Sequence, residues 1–212
     1  LENRAAEMLG KEAGLFVTSG TQANLIAMMT HCARGEEIIL GDKAHTFKYE
    51  AGGIAALGGI HPHTVPVQAD GTLLLDDIRH AIRDDNEHFP RTKLITLENT
   101  QGTVGGIPIS KAYTDQVAEI ARENNLSLHI DGARIFNAAA ALNIRAKDLL
   151  ENVDTAMFCL SKGLCAPVGS ILVGPADFIH EARRTRKVLG GGMRQAGVLA
   201  ASKLDPLDRL AA

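Results

Sequence analysis

The chain contains no tryptophan, and aromatic residues make up only 4% of it. So little flat aromatic surface argues against a stacking platform for single-stranded nucleic acid. It also lacks an excess of positive charge: 22 lysines and arginines stand against 25 aspartates and glutamates, a net charge of −3. That balance gives no electrostatic case for binding nucleic acid or an anionic membrane surface. Cysteine is scarce, with three residues, Cys32, Cys159 and Cys165, and no C-x-x-C. An odd count without that spacing points to reduced thiols and a cytoplasmic location. No apolar run approaches the roughly 20 residues that span a bilayer. The opening LENRAAEMLGKEAG is charged and helical, unlike a signal peptide. Repeats, low-complexity tracts and linkers are absent, as are GxGxxG and Walker patterns, which weakens the case for a nucleotide-binding domain. What remains is a chain of 212 residues with 45% hydrophobic content, ordinary for a globular protein of one sizeable domain or a domain plus part of another.

Short β-branched or apolar runs alternate with helical periods. LFV (15–17), EEIILGD (36–42), HTVPV (63–67), TKLITLEN (92–99), LSLHID (126–131), TAMFCLS (155–161) and GSILVG (169–174) read as strands. Between them, Leu25, Met28, Met29 and Cys32 share a helical face, and AHTFKYEAGGIAALGG reads as a helix ending in glycines. LLLDDIRHAIRDD predicts a helix to about Asp85, and Ser110 is placed to cap a helix that buries Tyr113, Val117, Ile120 and Ala121. RIFNAAAALN predicts another. PADFIHEARRTRKVLG predicts a basic helix with Pro175 in its first turn, its arginines Arg183, Arg184 and Arg186 reading as a solvated face. Such alternation predicts an α/β fold: a mostly parallel sheet with helices on both faces. The glycine run 190–192 reads as the one plausible hinge.

In sheets of this kind ligands sit beyond the carboxyl ends of the strands, and there the chemically informative residues fall. Asp131 closes LSLHID within HIDGAR, and Lys162 follows TAMFCLS within LSKGLCAPVGS. A carboxylate and a lysine at strand ends are what pyridoxal 5′-phosphate (PLP) chemistry requires. The lysine forms a Schiff base with the cofactor aldehyde, and the acid keeps the ring nitrogen protonated. Ser19, Gly20 and Thr21 lie between a strand and a helix, where free N–H groups and the helix dipole favour a phosphate; an ordinary N-cap explains the same residues. His45 opens the AHTFKYEAGG segment, placed to stack on a flat ring or to cap. Asn99 is placed to orient a cofactor group or to satisfy a turn. Lys187 and Arg194 flank GGGM, a turn suited to meeting a phosphate or carboxylate. His61 and His63 read as loop residues; nothing is spaced to complete a metal site around them, so no metal is expected.

The motifs KEAGLFVTSGTQANLIA, AHTFKYEAGG, LENTQGTVGGIP, HIDGARIFNAAAAL, CLSKGLCAPVGSILVG and GGGMRQAG run collinearly through the chain. Together the chain resembles the low-specificity L-threonine aldolases of the β-eliminating lyase superfamily, from Leu1 to about Leu199. The resemblance implies a PLP-dependent transferase-like large domain and retro-aldol cleavage of L-threonine or L-allo-threonine to glycine and acetaldehyde. It implies Lys162 as the Schiff-base lysine, Asp131 at the pyridine nitrogen, Gly20 and Thr21 with Ser19 on the phosphate, and His45 on the ring face. Arg134 would meet the substrate carboxylate or the cofactor hydroxyl. Arg194, with Lys187, would reach a phosphate or substrate group, in a partner subunit's site. A homo-oligomer, a tetramer built from dimers, is implied as the assembly.

There are departures. Where the family often carries a histidine after ENT, this chain has Gln101, which can hydrogen-bond to substrate but is no base near neutral pH. Leu1 begins in mid-pattern, and the tail SKLDPLDRLAA stops just after a helix has begun. The chain therefore reads as truncated at both ends: residues 1–190 as the PLP-binding large domain, and residues 191–212 as the start of a connection to a largely absent small domain. Rival expectations are a tryptophanase-like β-elimination releasing ammonia and pyruvate, and an inactive fragment of the aldolase.

Overall fold

The computed structural model describes residues 1–201. The expectation of a helix beginning in the tail, and half of the expected connection, lie outside the described residues.

Seven strands form one sheet: β1 (Ala13–Val17), β2 (Glu37–Gly41), β3 (His61–Val65), β4 (Thr92–Glu98), β5 (Ser127–Asp131), β6 (Thr155–Cys159) and β7 (Ser170–Gly174). Their spatial order is β1-β7-β6-β5-β4-β2-β3. From β6 to β3 every pairing is parallel, and β7 runs antiparallel to both β6 and β1. The expected mostly parallel sheet is thus present, with one reversed strand. The helices are α1 (Glu2–Met8), α2 (Gly20–His31), α3 (His45–Lys48), α4 (Leu75–Ala81), α5 (Lys111–Glu123), α6 (Ile135–Leu142), α7 (Ala146–Leu149) and α8 (Ala176–Val188).

Both faces of the sheet are covered, which is why its strands read as continuous apolar runs. Successive strand residues point to opposite faces, and they enter separate cores. Phe16, Ala156, Phe158, Ile171 and Val173 join the cluster containing Val117 and Ile120 of α5 and Ala138 of α6. Leu15, Val17, Met157, Cys159 and Leu172 join Ala23, Ile26 and Ala27 of α2 and Ile179 and Ala182 of α8.

Local chemistry accounts for where the elements depart from expectation. AHTFKYEAGGIAALGG is not one helix. It is α3, a break at Ala51 and Gly52, both with positive φ, and a π-helical turn over Ile54–Gly58. The break turns Glu50 inward, where it meets Asn24 and His45. The strand expected at 63–67 lies two residues earlier. Pro66 ends it, and Pro62 is tolerated because β3 is an edge strand. His61 and His63 therefore belong to a strand and not to a loop; both place Nδ1 on the buried Glu37 of β2, at 3.0 and 3.4 Å. Helix α4 stops at Ala81, with Ile82 extended and the Arg83 N–H donating to Thr92 Oγ1. Pro175 sits at the N-cap of α8, one position before the first turn.

Candidate active site

The carboxyl ends of β4 and β5 put two carboxylates side by side. Glu98 and Asp131 are register partners on adjacent parallel strands. β6 ends one strand further along, and its following turn carries Lys162. A cleft of about 190 Å³ opens there, lined by His45, Glu98, Asp131, Arg134 and Lys162 together with Tyr49 and Thr100. Residues far apart in the chain are thus gathered by the topology at one place: Asp131 and Lys162, His45 from the start of α3, and Arg134 from the N-cap of α6.

Asp131 is held from two sides. Its Oδ1 accepts from the Ala133 N–H at 3.2 Å, and its Oδ2 accepts from Asn24 Nδ2 at 2.8 Å. Asn24 Nδ2 also donates to Glu50 Oε1 at 3.0 Å, and Glu50 Oε1 lies 3.0 Å from His45 Nδ1. Burial pushes the Glu50 carboxyl above its ordinary value, and the nearby Asp131 charge adds to this. His45, Glu50 and Asp131 cluster closely enough to suggest a cation site. The Asn24 amide protons, however, are directed at both carboxylates, where a cation would otherwise sit. Glu98 is likewise raised, first by burial and then by Asp131. It accepts from the His45 N–H at 2.9 Å, from Gln101 Nε2 at 3.1 Å and from the Gly102 N–H at 3.0 Å, and so ties α3 to the loop after β4.

The turn 19–21 lies at the start of α2. Ser19 is the N-cap, accepting from the Gln22 N–H at 3.2 Å, so the capping explanation holds for its hydroxyl. The first N–H groups of the helix have no partner within it. Gly20 is packed against β6: a Cβ there would lie 3.1 Å from both Cys159 Sγ and Met157 Cε. Cys159 is three residues before Lys162 and feels its charge. One helical turn beyond Gly20, Asn24 reaches Asp131. The possible phosphate turn is therefore joined to Asp131 through α2 and to the lysine turn through β6.

Other expected residues fall elsewhere. Gln101 is buried and does not line the cleft. Its Nε2 donates to Lys43 O and Glu98 Oε2, and its Oε1 accepts from the Val104 N–H, so every polar end is held by the protein itself. The expectation of a Gln101 contact with substrate gives way to a role in holding Glu98. Asn99 satisfies a turn, exchanging two hydrogen bonds with Ile109. Lys187 and Arg194 are not among the cleft-lining residues; the glycine turn between them packs so closely on Gln22 that a Cβ at Gly191 would strike its amide. Nor is the basic face of α8 simply solvated, since Arg186 Nη1 donates to Phe16 O at 2.6 Å and Arg183 Nη2 pairs with Glu2 at 2.9 Å.

Asn24 and Glu50 are the site residues that the sequence does not announce, whereas Glu98 stands at a strand end like Asp131. A buried asparagine inside an apolar helix was the available signal for the first.

Comparison with known proteins shows the family. The beta-eliminating lyase family matches residues 1–211. The chain is 53% identical over 211 residues to low-specificity L-threonine aldolase 1 of Arabidopsis thaliana, covering 98% of this chain and 59% of that protein. It is 51% identical over 202 residues to the low specificity L-threonine aldolase of Escherichia coli K12, covering 95% and 60%. A threonine aldolase structure from Leishmania major superposes with a TM-score of 0.85 at 27% identity, over 98% of this chain and 61% of that one. The chain spans about three fifths of the length of the curated relatives it matches. With a match that runs through nearly every residue, the chain belongs to the beta-eliminating lyase family.

Proposed function

We propose that the protein containing this chain is a PLP-dependent aldehyde-lyase that cleaves L-threonine or L-allo-threonine to glycine and acetaldehyde. The observation that carries the reading is the convergence of Lys162, Asp131, His45 and Arg134 on one cleft beyond the strand ends. The donor set fits PLP: an amine for its aldehyde, a carboxylate for its ring nitrogen, and the unpaired N–H groups at the start of α2 for its phosphate. When bound, PLP supplies an aldehyde that takes up the substrate amine and a protonated ring that accepts the electron pair of the breaking Cα–Cβ bond.

The residues of the chain do the rest. Lys162 would hold the cofactor through its side-chain amine. Asp131, oriented by Asn24 and the Ala133 N–H, keeps the proton on the ring nitrogen. Gly20, Thr21 and Ser19 hold the phosphate. His45 covers the ring; with Nδ1 on Glu50, its Nε2 is left to take the β-hydroxyl proton, directly or through a water. Arg134 pairs with the substrate carboxylate, while Arg194 and Lys187 act at a phosphate or carboxylate in a partner subunit's site. A homo-oligomer, a tetramer built from dimers, is the assembly we propose, supported by Phe47, Tyr49 and Leu57 standing exposed on the segments around His45. The three unpaired cysteines favour the cytoplasm. Among the described residues no helix is long and apolar enough to cross a membrane.

The test is incubation of the PLP-loaded full-length protein with L-threonine, L-allo-threonine and L-serine, assaying glycine, aldehyde and pyruvate. Glycine with acetaldehyde is expected from threonine. Pyruvate without glycine would overturn the aldolase reading in favour of β-elimination.

A further inference from the structure

The buried His129 and the half-buried His31 have no part in the reaction above, yet they connect to it. We propose that His129 and Thr155 are positioning residues for Asp131: with His31 and Asn24 they form a one-way file of hydrogen bonds that fixes the Asn24 amide and, through it, the carboxylate facing the cofactor ring. The inference deepens the PLP reading and rests on it for what Asp131 meets.

The direction of the file follows from its ends. Asn24 Nδ2 lies 2.8 Å from Asp131 Oδ2 and 3.0 Å from Glu50 Oε1, so its two protons go to the two carboxyl groups. Asn24 Oδ1 is then left facing His129 Nε2 at 3.4 Å, the longest link, and only an N–H is compatible there. In a neutral ring the other nitrogen, Nδ1, is bare. It lies 2.9 Å from Thr155 Oγ1, which must donate to it. With its proton committed, the Thr155 oxygen accepts from His31 Nε2 at 2.8 Å. Each step follows from the one before once the carboxylate end is set, the Thr155 backbone being the competing partner for the His129 ring. His129 and Thr155 are fully buried and Asn24 nearly so, and no water-filled path is needed to complete any bond. Burial holds His129 down to about 3 and His31 to about 4, so both rings are neutral near pH 7, as the order requires. The His31 ring is itself stacked on Phe178, with centroids 4.4 Å apart.

The sequence spacing builds this file. His129 and Asp131, at i and i+2, share one face of β5. Thr155 is the register partner of His129 on β6. Asn24 and His31, at i and i+7, share one face of α2 above those strands. Helix α2 therefore supplies His31 and Asn24, the sheet supplies Thr155, His129 and Asp131, and the file ends at the carboxylate proposed to meet the ring. Were the amide of Asn24 reversed, its oxygen would face two carboxyl groups. Asp131 would then lose one of its two donors, keeping only the Ala133 N–H, and with it part of the orientation that serves the ring proton.

Thr155→Val keeps the shape of residue 155 but removes the hydroxyl. His129 Nδ1 then loses its donor, and the other tautomer, which places a bare Nε2 against the Asn24 oxygen, becomes accessible. The first readout needs no cofactor. Solid-state NMR of the 15N-histidine-labelled, full-length apo-protein is expected to show His129 as the neutral Nε2–H tautomer, its signal identified by loss in His129→Asn. In Thr155→Val a mixture of tautomers is expected. The second readout is PLP affinity, expected to weaken about tenfold, the size of one unsatisfied buried hydrogen-bonding group. The pH titration of the visible absorbance of the lysine-bound cofactor should shift with it, and Thr155→Ser should restore both. A purely structural role would lower thermal stability and leave affinity and titration unmoved; that result, or a wild-type His129 found as Nδ1–H or charged at pH 7, overturns the proposal. A wild-type protein that takes up no PLP overturns the cofactor reading and with it the destination of the file. The tautomer spectrum tells that failure apart from a failure of the file itself.

Discussion

Lys162→Ala should abolish the visible absorbance of PLP-loaded protein, because among the described residues no other lysine lines the cleft; a persisting band would move the cofactor linkage elsewhere. The two histidines of the file make a different prediction. His129 and His31 are neutral when folded, but in the unfolded chain they bind protons below about pH 6.5. Stability is therefore full above about pH 6.5 and declines as the pH falls toward the folded values, by up to about 1.4 kcal/mol per ring per pH unit. Urea unfolding at pH 7 and pH 5 measures the decline, and His129→Asn should roughly halve it; an unchanged slope would mean that His129 titrates normally in the fold. Asp131 and Lys162 were legible in the sequence because each directly follows a strand-like run. Asn24 and Glu50 were not: nothing in TQANLIA or KYEAGG says that two residues, 26 apart, meet through a 3.0 Å hydrogen bond. Gln101 misled, since its type suits a substrate contact while its loop turns it inward.

Among the elements, the two capped helices separate stability from function. Ser110 caps α5 and Ser19 caps α2, each accepting from the N–H three residues on. Either serine replaced by alanine is expected to cost about 1 kcal/mol of stability, measurable by thermal unfolding. Only Ser19→Ala should also weaken PLP binding, because only α2 points its first turn at the proposed phosphate; equal affinity in both variants would remove Ser19 and its turn from the site. Strong patterns made most elements readable: β4 and β5 as apolar runs, α5 by its cap and its buried Val117, Ile120 and Ala121. The segment 44–59 was misjudged as one helix. Its composition suits a helix, but the inward pull on Glu50 and the positive φ of Ala51 and Gly52 divide it. Propensity gave way there to tertiary hydrogen bonding.

For the molecule as a whole, the outer edge of the sheet is an exposed liability that the fold covers. β1 is an end strand, and its outward groups are taken by side chains: the Phe16 N–H donates to Glu2 Oε1 at 2.7 Å, and Phe16 O accepts from Arg186 Nη1 at 2.6 Å. Arg183 reinforces Glu2 from α8. Glu2→Ala should lower stability by about 1–3 kcal/mol by removing the carboxylate that accepts from the part-buried Phe16 N–H, and should raise aggregation on partial unfolding; an unchanged unfolding midpoint would show that water serves the edge equally well. The sequence by itself determined the fold class and the family and singled out Asp131, Lys162, His45 and Arg134, which the fold brings to one cleft, since strand-end position and collinear motifs are local properties of the chain. The tertiary structure decided which residues support them. The reversed strand β7, the inward Glu50, the covered edge of β1 and the file from His31 to Asp131 each depend on which strand lies beside which and on α2 crossing above them. Such contacts between residues distant in the chain carry no local pattern, so only the packed molecule displays them.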